Sequence, residues 1–264
     1  MLLANKVAII SGGATGMGRA IALKFAEEGC HVAVADINVP QANETIRGVV
    51  ERGREGLALE CDIASSEAVQ AVVDQVMTKF GRINILVNSA GTTAGVAGGS
   101  SVAAISEGEW DRIVAINLKG AFLFTRAVVP QMKKQRDGRI INISSLGAVH
   151  PPTVSPHYHA AKAGLLGMTY DTARELGPFN IRINAIMPGP IRTPFYDKLI
   201  AAMGEAEKEA FFECLGKEAP LQRMGRPEDI AGAALFLASD LSAYVTAAVI
   251  PVSGGLPLEA PAAN

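Results

Sequence analysis

The sequence predicts an α/β protein built on one doubly wound sheet of seven mainly parallel strands, with helices on both faces. Short apolar runs rich in Val and Ile alternate with longer stretches of helical period, which is typical of a parallel sheet covered by helices. The chain has 264 residues, of which 49% are hydrophobic and 19% charged, so it can bury a large core. No linker or repeat divides it. Residues 1–264 are therefore interpreted as a single domain.

The individual elements follow from these periods. The predicted strands are residues 7–11, 31–36, 57–62, 85–90, 139–144, 182–187 and 248–252. The clearest helix is Ser66–Phe80, where apolar side chains recur at helical spacing and predict a face turned toward the sheet: Val69, Val72, Val73, Val76, Met77 and Phe80. Two regions interrupt the alternation. Residues 92–106 are rich in small residues and predict a loop, and residues 191–220 are helical in composition and predict a substrate lid.

Composition narrows the possible partners. The net charge of -2 and the dispersed Lys and Arg residues argue against nucleic acid binding. Cys30, Cys61 and Cys214 have no metal-ligand spacing, so each is expected to be buried and no metal site is expected. Neither a signal-like N-terminus nor an apolar run of about 18 residues is present. We expect a soluble cytoplasmic protein that has no membrane partner.

The first predicted strand runs into the glycine-rich sequence SGGATGMG, residues 11–18, and a helical pattern follows directly. Such a turn lets the backbone approach a pyrophosphate and presents the amides of a helix N-terminus to its charge. Taken alone, the glycines are also compatible with a tight turn that binds nothing. The sequence thus indicates a nucleotide site that needs a second observation.

Asp36, at the end of the second predicted strand, supplies that observation. It follows Gly18 by 18 positions, close to the interval of about 20 residues at which an acid meets the adenosine ribose. Its carboxylate would repel the 2′-phosphate of NADP by roughly 4 kcal/mol at contact distance. No Arg or Lys directly follows it, so NAD is the expected cofactor. The alternative role for Asp36 is that of a helix N-cap.

Tyr158 and Lys162 are four residues apart at the start of a helical pattern, so they share one helix face. Oxidation of an alcohol requires a base for the hydroxyl proton, and a free phenol with a pKa of about 10 is a poor base near neutrality. An adjacent ammonium, joined by a positive nicotinamide, favours the phenolate. The pair is therefore a candidate acid/base. The alternative is a solvent-facing pair on a helix surface.

Ser145 lies at the carboxyl end of the fifth predicted strand, where open parallel sheets bind ligands. Its hydroxyl is suited to holding the substrate oxygen beside the phenol, although a strand-end serine also caps its own turn. His150 and His157 are close in sequence to Tyr158. We interpret both as polar residues at the rim of the site.

The glycine spacing Gly12-xxx-Gly16-x-Gly18, the Tyr158-xxx-Lys162 pair and the preceding Ser145 together resemble the short-chain dehydrogenase/reductase family, whose fold is Rossmann-type. The resemblance extends from Lys6 to about Gly255, with the motifs in family order. It implies catalytic roles for Asn117, Ser145, Tyr158 and Lys162. Asn117, which also admits an ordinary structural role, would hold a water that links Lys162 to solvent.

The resemblance also implies a set of cofactor-binding residues along the chain. Asp62 and Ile63 would bind adenine, and the backbone at Ile191 with the hydroxyl of Thr193 would bind the carboxamide. The full set is Gly12, Thr15, Gly16, Met17, Gly18, Asp36, Asp62, Ile63, Asn88, Ala90, Gly91, Tyr158, Lys162, Pro188, Gly189, Ile191 and Thr193.

Some positions depart from the family pattern. Ser89 stands where a second asparagine is usual, so the family pattern does not predict which groups form the hydrogen bonds of that turn. Thr246-Ala247 replaces Thr-Gly, and Ser253-Gly254-Gly255 replaces Asp-Gly-Gly, near the family's subunit contacts. The resemblance implies a homotetramer, or else a homodimer.

Three stretches, residues 92–106, 146–157 and 191–220, are expected to bind the substrate. Their apolar and small side chains predict a hydrophobic secondary alcohol or ketone: Gly147, Val149, Val154, Phe195, Tyr196, Phe211 and Phe212. Two other functions stay open. One is an NADPH-dependent ketoreductase similar to the acyl-carrier ketoreductases of the same family, and the other is an NAD-binding sensor or scaffold without turnover.

Overall fold

A computed structural model describes residues 1–93, 101–152 and 155–258. Within these ranges the strands are β1 (Val7–Ser11), β2 (His31–Asp36), β3 (Gly56–Glu60), β4 (Ile85–Asn88), β5 (Gly138–Ile143), β6 (Ile181–Pro188) and β7 (Val249–Val252). They form one sheet in the order β3-β2-β1-β4-β5-β6-β7, and each neighbouring pair is parallel. The predicted fold class is confirmed.

Helices cover both faces of the sheet. In the described ranges they are α1 (Gly16–Glu27), α2 (Val39–Glu51), α3 (Ser66–Phe80), α4 (Glu107–Val114), α5 (Gly120–Gln135), α6 (Pro156–Leu176), α7 (Asp197–Ile200), α8 (Glu205–Lys217) and α9 (Pro227–Ala238). Because successive strand side chains point to opposite faces, β1 contributes Ala8 and Ile10 to a core with α1, α2 and α9, and Val7 and Ile9 to a core with α3, α5 and α6.

The predicted elements agree with the structure to within about two residues. The bounds of β1, β2 and α3 are as predicted. Helix α3 begins at an N-cap, Ser65, whose side chain accepts from the Ala68 amide, and ends at Gly81 in the left-handed conformation. Four valines of its apolar stripe are buried, and Met77 and Phe80 pack at the edge of the same core. Strand β4 ends at Asn88, two residues before the predicted Ala90.

One helical stretch, Glu107–Gln135, is long and apolar enough to cross a membrane by length and composition alone. It includes α4, one π-helical turn and α5. The core accounts for its apolar character, because Leu123, Phe124 and Val128 of α5 pack under the sheet. Helices in the interior of a globular domain share this length and apolar composition.

The sheet has a switch point between β1 and β4. From β1 the chain proceeds outward to β2 and β3, then returns to the centre and proceeds the other way from β4. Connections from β1 and β4 therefore leave in opposite directions, which opens a crevice at their carboxyl ends. The residues after β1, β4, β5 and β6 meet at this edge.

The predicted lid, residues 191–220, contains a 3-10 turn at Pro194–Tyr196, then α7 and α8. Its first residues are tied to the chain beyond it, because the Arg192 amide donates to the Gly225 carbonyl at 2.9 Å. Of the other two predicted substrate stretches, residues 94–100 and 153–154, which include Val154, lie outside the described residues.

The tightest packing near the switch point involves Gly18. A Cβ on Gly18 would overlap the carbonyl oxygen of Gly12, whereas a Cβ on Gly108 of α4 meets nothing. We expect Gly18→Ala to lower the free energy of unfolding by about 1–3 kcal/mol, because the backbone must shift. Gly108→Ala should leave it unchanged or raise it by up to about 1 kcal/mol. Urea unfolding measures both, and equal effects would contradict the close approach.

Candidate active site

The N-terminus of α1 lies at the switch point and suits an anion. Gly12 and Gly16 adopt positive φ angles of 68° and 53°, which glycine reaches without strain. The N-cap, Thr15, makes no side-chain capping bond, and the first turn has no acidic residue. First-turn N–H groups are left without intrahelical partners, so this end of α1 fits a cofactor pyrophosphate.

The Ser11 hydroxyl joins the glycine-rich turn to the end of β4. It accepts from the amides of Ser89 and Ala90 at 3.2 and 3.3 Å, and it donates to the Val87 carbonyl at 3.4 Å. A Cβ on Gly12 would lie 2.6 Å from the Cα of Ala90, so glycine is needed for this approach. The sequence left open which groups bond to the turn at Ser89. The Ser11 hydroxyl accepts from the backbone amides of that turn.

Asn88 is buried beneath the same turn. Its amide nitrogen donates to Oδ1 of Asn142 at 2.8 Å, and the Asn142 amide donates to the Thr169 hydroxyl at 2.9 Å. Side chains from β4, β5 and α6 are thereby linked in a buried row. The link fixes α6, which carries Tyr158 and Lys162, against the two central strands.

Asp36 lies beside the glycine-rich turn. Its carboxylate accepts from the amides of Ala14 at 3.0 Å and Asn38 at 2.9 Å. The N-cap of α2 is Asn38, whose side chain accepts from the Gln41 amide, so capping of α2 is not the role of Asp36. The partly exposed carboxylate keeps lone pairs for ribose hydroxyls at this edge.

The other predicted cofactor residues border the same crevice. Ile63, after β3, packs against the start of α5, where a Cβ on Gly120 would lie 2.7 Å from its Cδ1. The neighbouring Asp62 is exposed, and its carboxylate accepts from the Ala64 amide. After β6, the Cβ of Thr193 would be 3.4 Å from a Cβ on Gly16. The β6 loop thus touches the glycine-rich turn.

Backbone pairing fixes the β6 loop. The Gly189 amide donates to the Val252 carbonyl at 3.0 Å, directly after β6 ends at Pro188. Ile191 is buried and pairs with Gly225 in an isolated bridge. Residues 188–193 therefore leave the sheet along a defined path toward Gly16.

Ser145, Tyr158 and Lys162 are brought together at the end of β5. The Tyr158 phenol lies near the Ser145 side chain, which acts to lower the pKa of the phenol. The ammonium of Lys162 donates to the Ile143 carbonyl at 3.0 Å and lies 5.7 Å from the centre of the Tyr158 ring. Ser144, the other serine of this turn, uses its hydroxyl to donate to the Lys162 carbonyl at 2.8 Å. Geometry therefore favours Ser145 over Ser144 as the residue that faces a substrate.

Burial governs the protonation of these groups. The side chain of Lys162 is only 4% exposed, and burial lowers its pKa from the ordinary 10.5 to about 8. Burial also raises the pKa of the Tyr158 phenol above its ordinary value, while the nearby Ser145 side chain acts in the opposite direction. Both shifts disfavour isolated charges, so an ammonium and a phenolate stabilise each other here.

Asn117 lies in a distorted helix next to Lys162. Residues Ala115–Lys119 form a π turn between α4 and α5. The Asn117 amide donates to the carbonyls of Thr92 at 2.9 Å and Ile113 at 3.0 Å, and its oxygen accepts from the Thr92 amide. A Cβ on Gly91 would lie 2.9 Å from that oxygen and 3.2 Å from Nζ of Lys162. The backbone at Gly91 therefore separates the two side chains only narrowly.

The structure corrects two expectations about single residues. His157 is fully buried, with its Nε2 3.3 Å from a carboxylate oxygen of Glu109 and its ring stacked on Trp110, so it is not a rim residue. His150 is exposed, as a rim residue would be. Cys214 is exposed on α8, whereas Cys30 and Cys61 are buried, and burial raises the pKa of the Cys61 thiol to about 11.

Sequence reasoning overlooked one neighbour of the site, His159. Its ring stacks edge-on with Tyr158 at 5.6 Å between centroids, and a Cβ on Gly147 would lie 2.8 Å from it. The Gly147 amide in turn donates to Oγ of Ser145 at 3.0 Å. The position of His159 directly after Tyr158 in the sequence could have identified it as a neighbour of the site.

The buried ammonium predicts a pH-dependent stability. Below pH 8 both folded and unfolded chains carry the Lys162 proton, and the folded chain bears the cost of burial. As pH rises toward 10.5 the folded chain releases the proton first, and this cost of about 3 kcal/mol disappears. Relative to Lys162→Met, the free energy of unfolding of the unmodified protein should rise by about 2 kcal/mol between pH 7 and pH 10.

Urea unfolding at the two pH values measures this difference. Lys134→Met, at an exposed lysine of α5, is the matched control and should show no such change. Parallel pH curves for the unmodified protein and Lys162→Met would contradict a buried ammonium.

Comparison with known proteins agrees with this arrangement. A family model described as Enoyl-(Acyl carrier protein) reductase matches residues 12–257. The chain is 40% identical over 261 residues to the 3-oxoacyl-(acyl-carrier-protein) reductase FabG of Thermotoga maritima, covering 97% of this chain and 99% of the relative. It is also 40% identical over 255 residues to BbsD of Thauera aromatica, a subunit of (2S)-((R)-hydroxy(phenyl)methyl)succinyl-CoA dehydrogenase, covering 97% and 98%.

A crystal structure of levodione reductase superimposes with a TM-score of 0.88 at 32% identity, covering 96% of this chain and 97% of that one. Fold, residue arrangement and relatives lead to the same assignment. The chain belongs to the short-chain dehydrogenase/reductase family and is an oxidoreductase of the kind that uses a nicotinamide cofactor.

Proposed function

We propose that this protein is an NAD-dependent alcohol dehydrogenase/carbonyl reductase that interconverts a hydrophobic secondary alcohol and its ketone. The observation that carries the proposal is the meeting of Ser145, Tyr158 and Lys162 at the carboxyl edge of the sheet, beside the glycine-rich turn. Two hydroxyls that face one point suit an alcohol or carbonyl oxygen. In this proposal Asn117, Ser145, Tyr158 and Lys162 form the catalytic group.

The proposed proton chemistry follows from the contacts of these side chains. Ser145 donates a hydrogen bond to the substrate oxygen and holds it against the phenol. During oxidation Tyr158, as phenolate, accepts the hydroxyl proton, and during reduction it returns a proton to the carbonyl oxygen. The Lys162 ammonium lowers the free-energy cost of forming the phenolate. Asn117 lies close to this ammonium, with the backbone of Gly91 beside both side chains.

The residues that would hold NAD surround the switch point. Glycine-rich turn residues and the first amides of α1 suit the pyrophosphate, Asp36 the ribose, Asp62 and Ile63 the adenine, and residues 188–193 the carboxamide. When bound, NAD supplies the acceptor for the substrate hydride, and NADH supplies the donor.

Apolar side chains support a hydrophobic substrate. Phe195, Tyr196, Phe211 and Phe212 pack against one another in the proposed lid, and Gly147 and Val149 follow Ser145. We also propose a cytoplasmic location and a homotetramer, or else a homodimer, on the family resemblance. Exposed apolar side chains on several helices would suit such contacts, among them Phe122, Tyr170 and Phe236.

The first experiment measures turnover of NAD and NADP separately with aliphatic, cyclic and sugar alcohols. Tyr158→Phe should lower kcat/KM by at least about 100-fold, since it removes the proton acceptor. Tyr244→Phe, at a fully exposed tyrosine, should change it less than twofold. The rate of oxidation should rise with pH as the phenol ionises. NAD binding without any turnover would favour the sensor alternative.

An NADPH-dependent ketoreductase is the second candidate, because a curated relative is named a 3-oxoacyl-(acyl-carrier-protein) reductase. Acetoacetyl-CoA reduction with NADPH and with NADH tests it directly. Faster reduction with NADPH than any NAD-linked turnover would replace the first proposal with this one.

The charge of Asp36 provides the cofactor test. Asp36→Asn keeps an acceptor for the Ala14 amide but removes a repulsion of roughly 4 kcal/mol with a 2′-phosphate. We expect the ratio of kcat/KM for NAD to that for NADP to fall at least about tenfold. Asp62→Asn, which also loses a charge in the crevice, should change this ratio little. An unchanged ratio in Asp36→Asn would show that Asp36 does not set the preference.

A further inference from the structure

The short turn after β5 has a glycine at its centre that the backbone alone does not require. Gly147 is the middle residue of the 3-10 turn Leu146–Ala148, and its φ is not positive. Other residues adopt this backbone conformation without strain. A Cβ on Gly147, however, would lie 2.8 Å from Cδ2 and 2.9 Å from Nε2 of the His159 ring. The glycine therefore makes room for the imidazole.

Neither side of this contact is free to withdraw. The half-buried His159 ring stacks edge-on against the Tyr158 ring, with 5.6 Å between centroids. A side chain on a helix has two common χ1 rotamers, so the ring can leave Gly147 only by a change of rotamer. On the other side, Ala148 packs against the buried Leu166 cluster and its amide donates to the Ser145 carbonyl at 3.0 Å.

The contact extends to the Ser145 hydroxyl. The Gly147 amide donates to Oγ of Ser145 at 3.0 Å, and a Cβ on Gly147 would lie 3.3 Å from the same oxygen. The Tyr158 ring, the His159 ring, Gly147 and the Ser145 hydroxyl thus follow one another in contact. A displacement of His159 or of Gly147 is passed to the distance between the two hydroxyls.

The contact acts through shape. Within the described ranges no protein group forms a hydrogen bond with the His159 ring. Burial, and then the electrostatic influence of His157, lowers the pKa of the imidazole, so the ring is uncharged near neutral pH. An uncharged ring without a hydrogen bond contributes its volume and its rigidity.

We propose that His159 is a positioning residue, whose ring is packed between Tyr158 and Gly147 and sets the distance between the Ser145 hydroxyl and the Tyr158 phenol. His159 does not touch the reacting oxygen in this arrangement. The inference rests on the proposed function, in which both hydroxyls hold that oxygen.

The kinetic test is a double-mutant cycle with the alcohol that gives the fastest turnover of NAD. Gly147→Ala should lower kcat about tenfold and change KM less than about twofold, because misplaced hydroxyls weaken the transition state. In His159→Ala the same change should alter kcat less than about twofold, because the new Cβ has space. Gly232→Ala, at an exposed position of α9 where a Cβ meets nothing, is the control and should alter kcat in neither background.

Equal effects of Gly147→Ala in the two backgrounds, or a rise in KM with kcat unchanged, would overturn the inference. Circular dichroism checks that each variant folds. If Gly147→Ala alone does not fold, the double variant decides the outcome. A folded double variant supports the close contact with His159, and an unfolded one contradicts it.

Ionisation of Tyr158 provides a measurement that needs no turnover. Each variant is titrated by the ultraviolet absorbance of phenolate, and the curve of the same variant carrying Tyr158→Phe is subtracted. Because the Ser145 side chain acts to lower the pKa of Tyr158, Gly147→Ala should raise the midpoint by about 0.5–1 pH unit, but not in His159→Ala. If this pattern appears without turnover of any alcohol, the proposed function fails and the inference stands. One midpoint for all variants would overturn the inference.

Discussion

A buried ammonium at the end of the sheet is the constraint on which the site depends. Lys162 is almost wholly enclosed, and the Ile143 carbonyl accepts from it at 3.0 Å. One neutral partner does not compensate the loss of hydration, which is why burial lowers its pKa to about 8. The nearby phenol of Tyr158 meets the opposite cost, because burial raises its pKa. Each group makes the charged form of the other less costly, and the fold provides no other buried counter-ion in its described part.

The rest of the domain keeps this pair in position. The π turn at Asn117 and the close backbone at Gly91 enclose the ammonium from one side. The row from Asn88 through Asn142 to Thr169 fixes helix α6 against the central strands. Ser11 joins the turns after β1 and β4 with three hydrogen bonds. These polar residues occupy buried positions that hydrophobic side chains usually fill. Their hydrogen bonds hold the turns and helix α6 in place at the binding edge.

The sequence was sufficient for the fold, because the fold depends on periodic patterns, and it led to the main candidate residues through their resemblance to a family motif. Strands buried on both faces and the stripe of α3 are visible as apolar repeats, and Ser145, Tyr158 and Lys162 follow fixed spacings. Contacts between distant segments were not accessible in this way. His157 is buried because Glu109 and Trp110 of α4 pack on it, 48 and 47 positions earlier in the chain. Cys214 has no periodic pattern that marks its side of α8, and the orientation of Tyr196 depends on two phenylalanines of α8.

The central place of β1 also has a consequence for how the chain folds. Strand β1 pairs with β2 within the first 36 residues, but its other neighbour, β4, begins only at Ile85. During synthesis, at about 5–20 residues per second, the edge of an apolar strand stays unpaired for several seconds. An exposed edge of this kind is a template for aggregation, and the non-local parallel pairing that closes it is slow. The strand order that creates the binding crevice therefore leaves the central strand of the sheet open to aggregation while the chain is being synthesised.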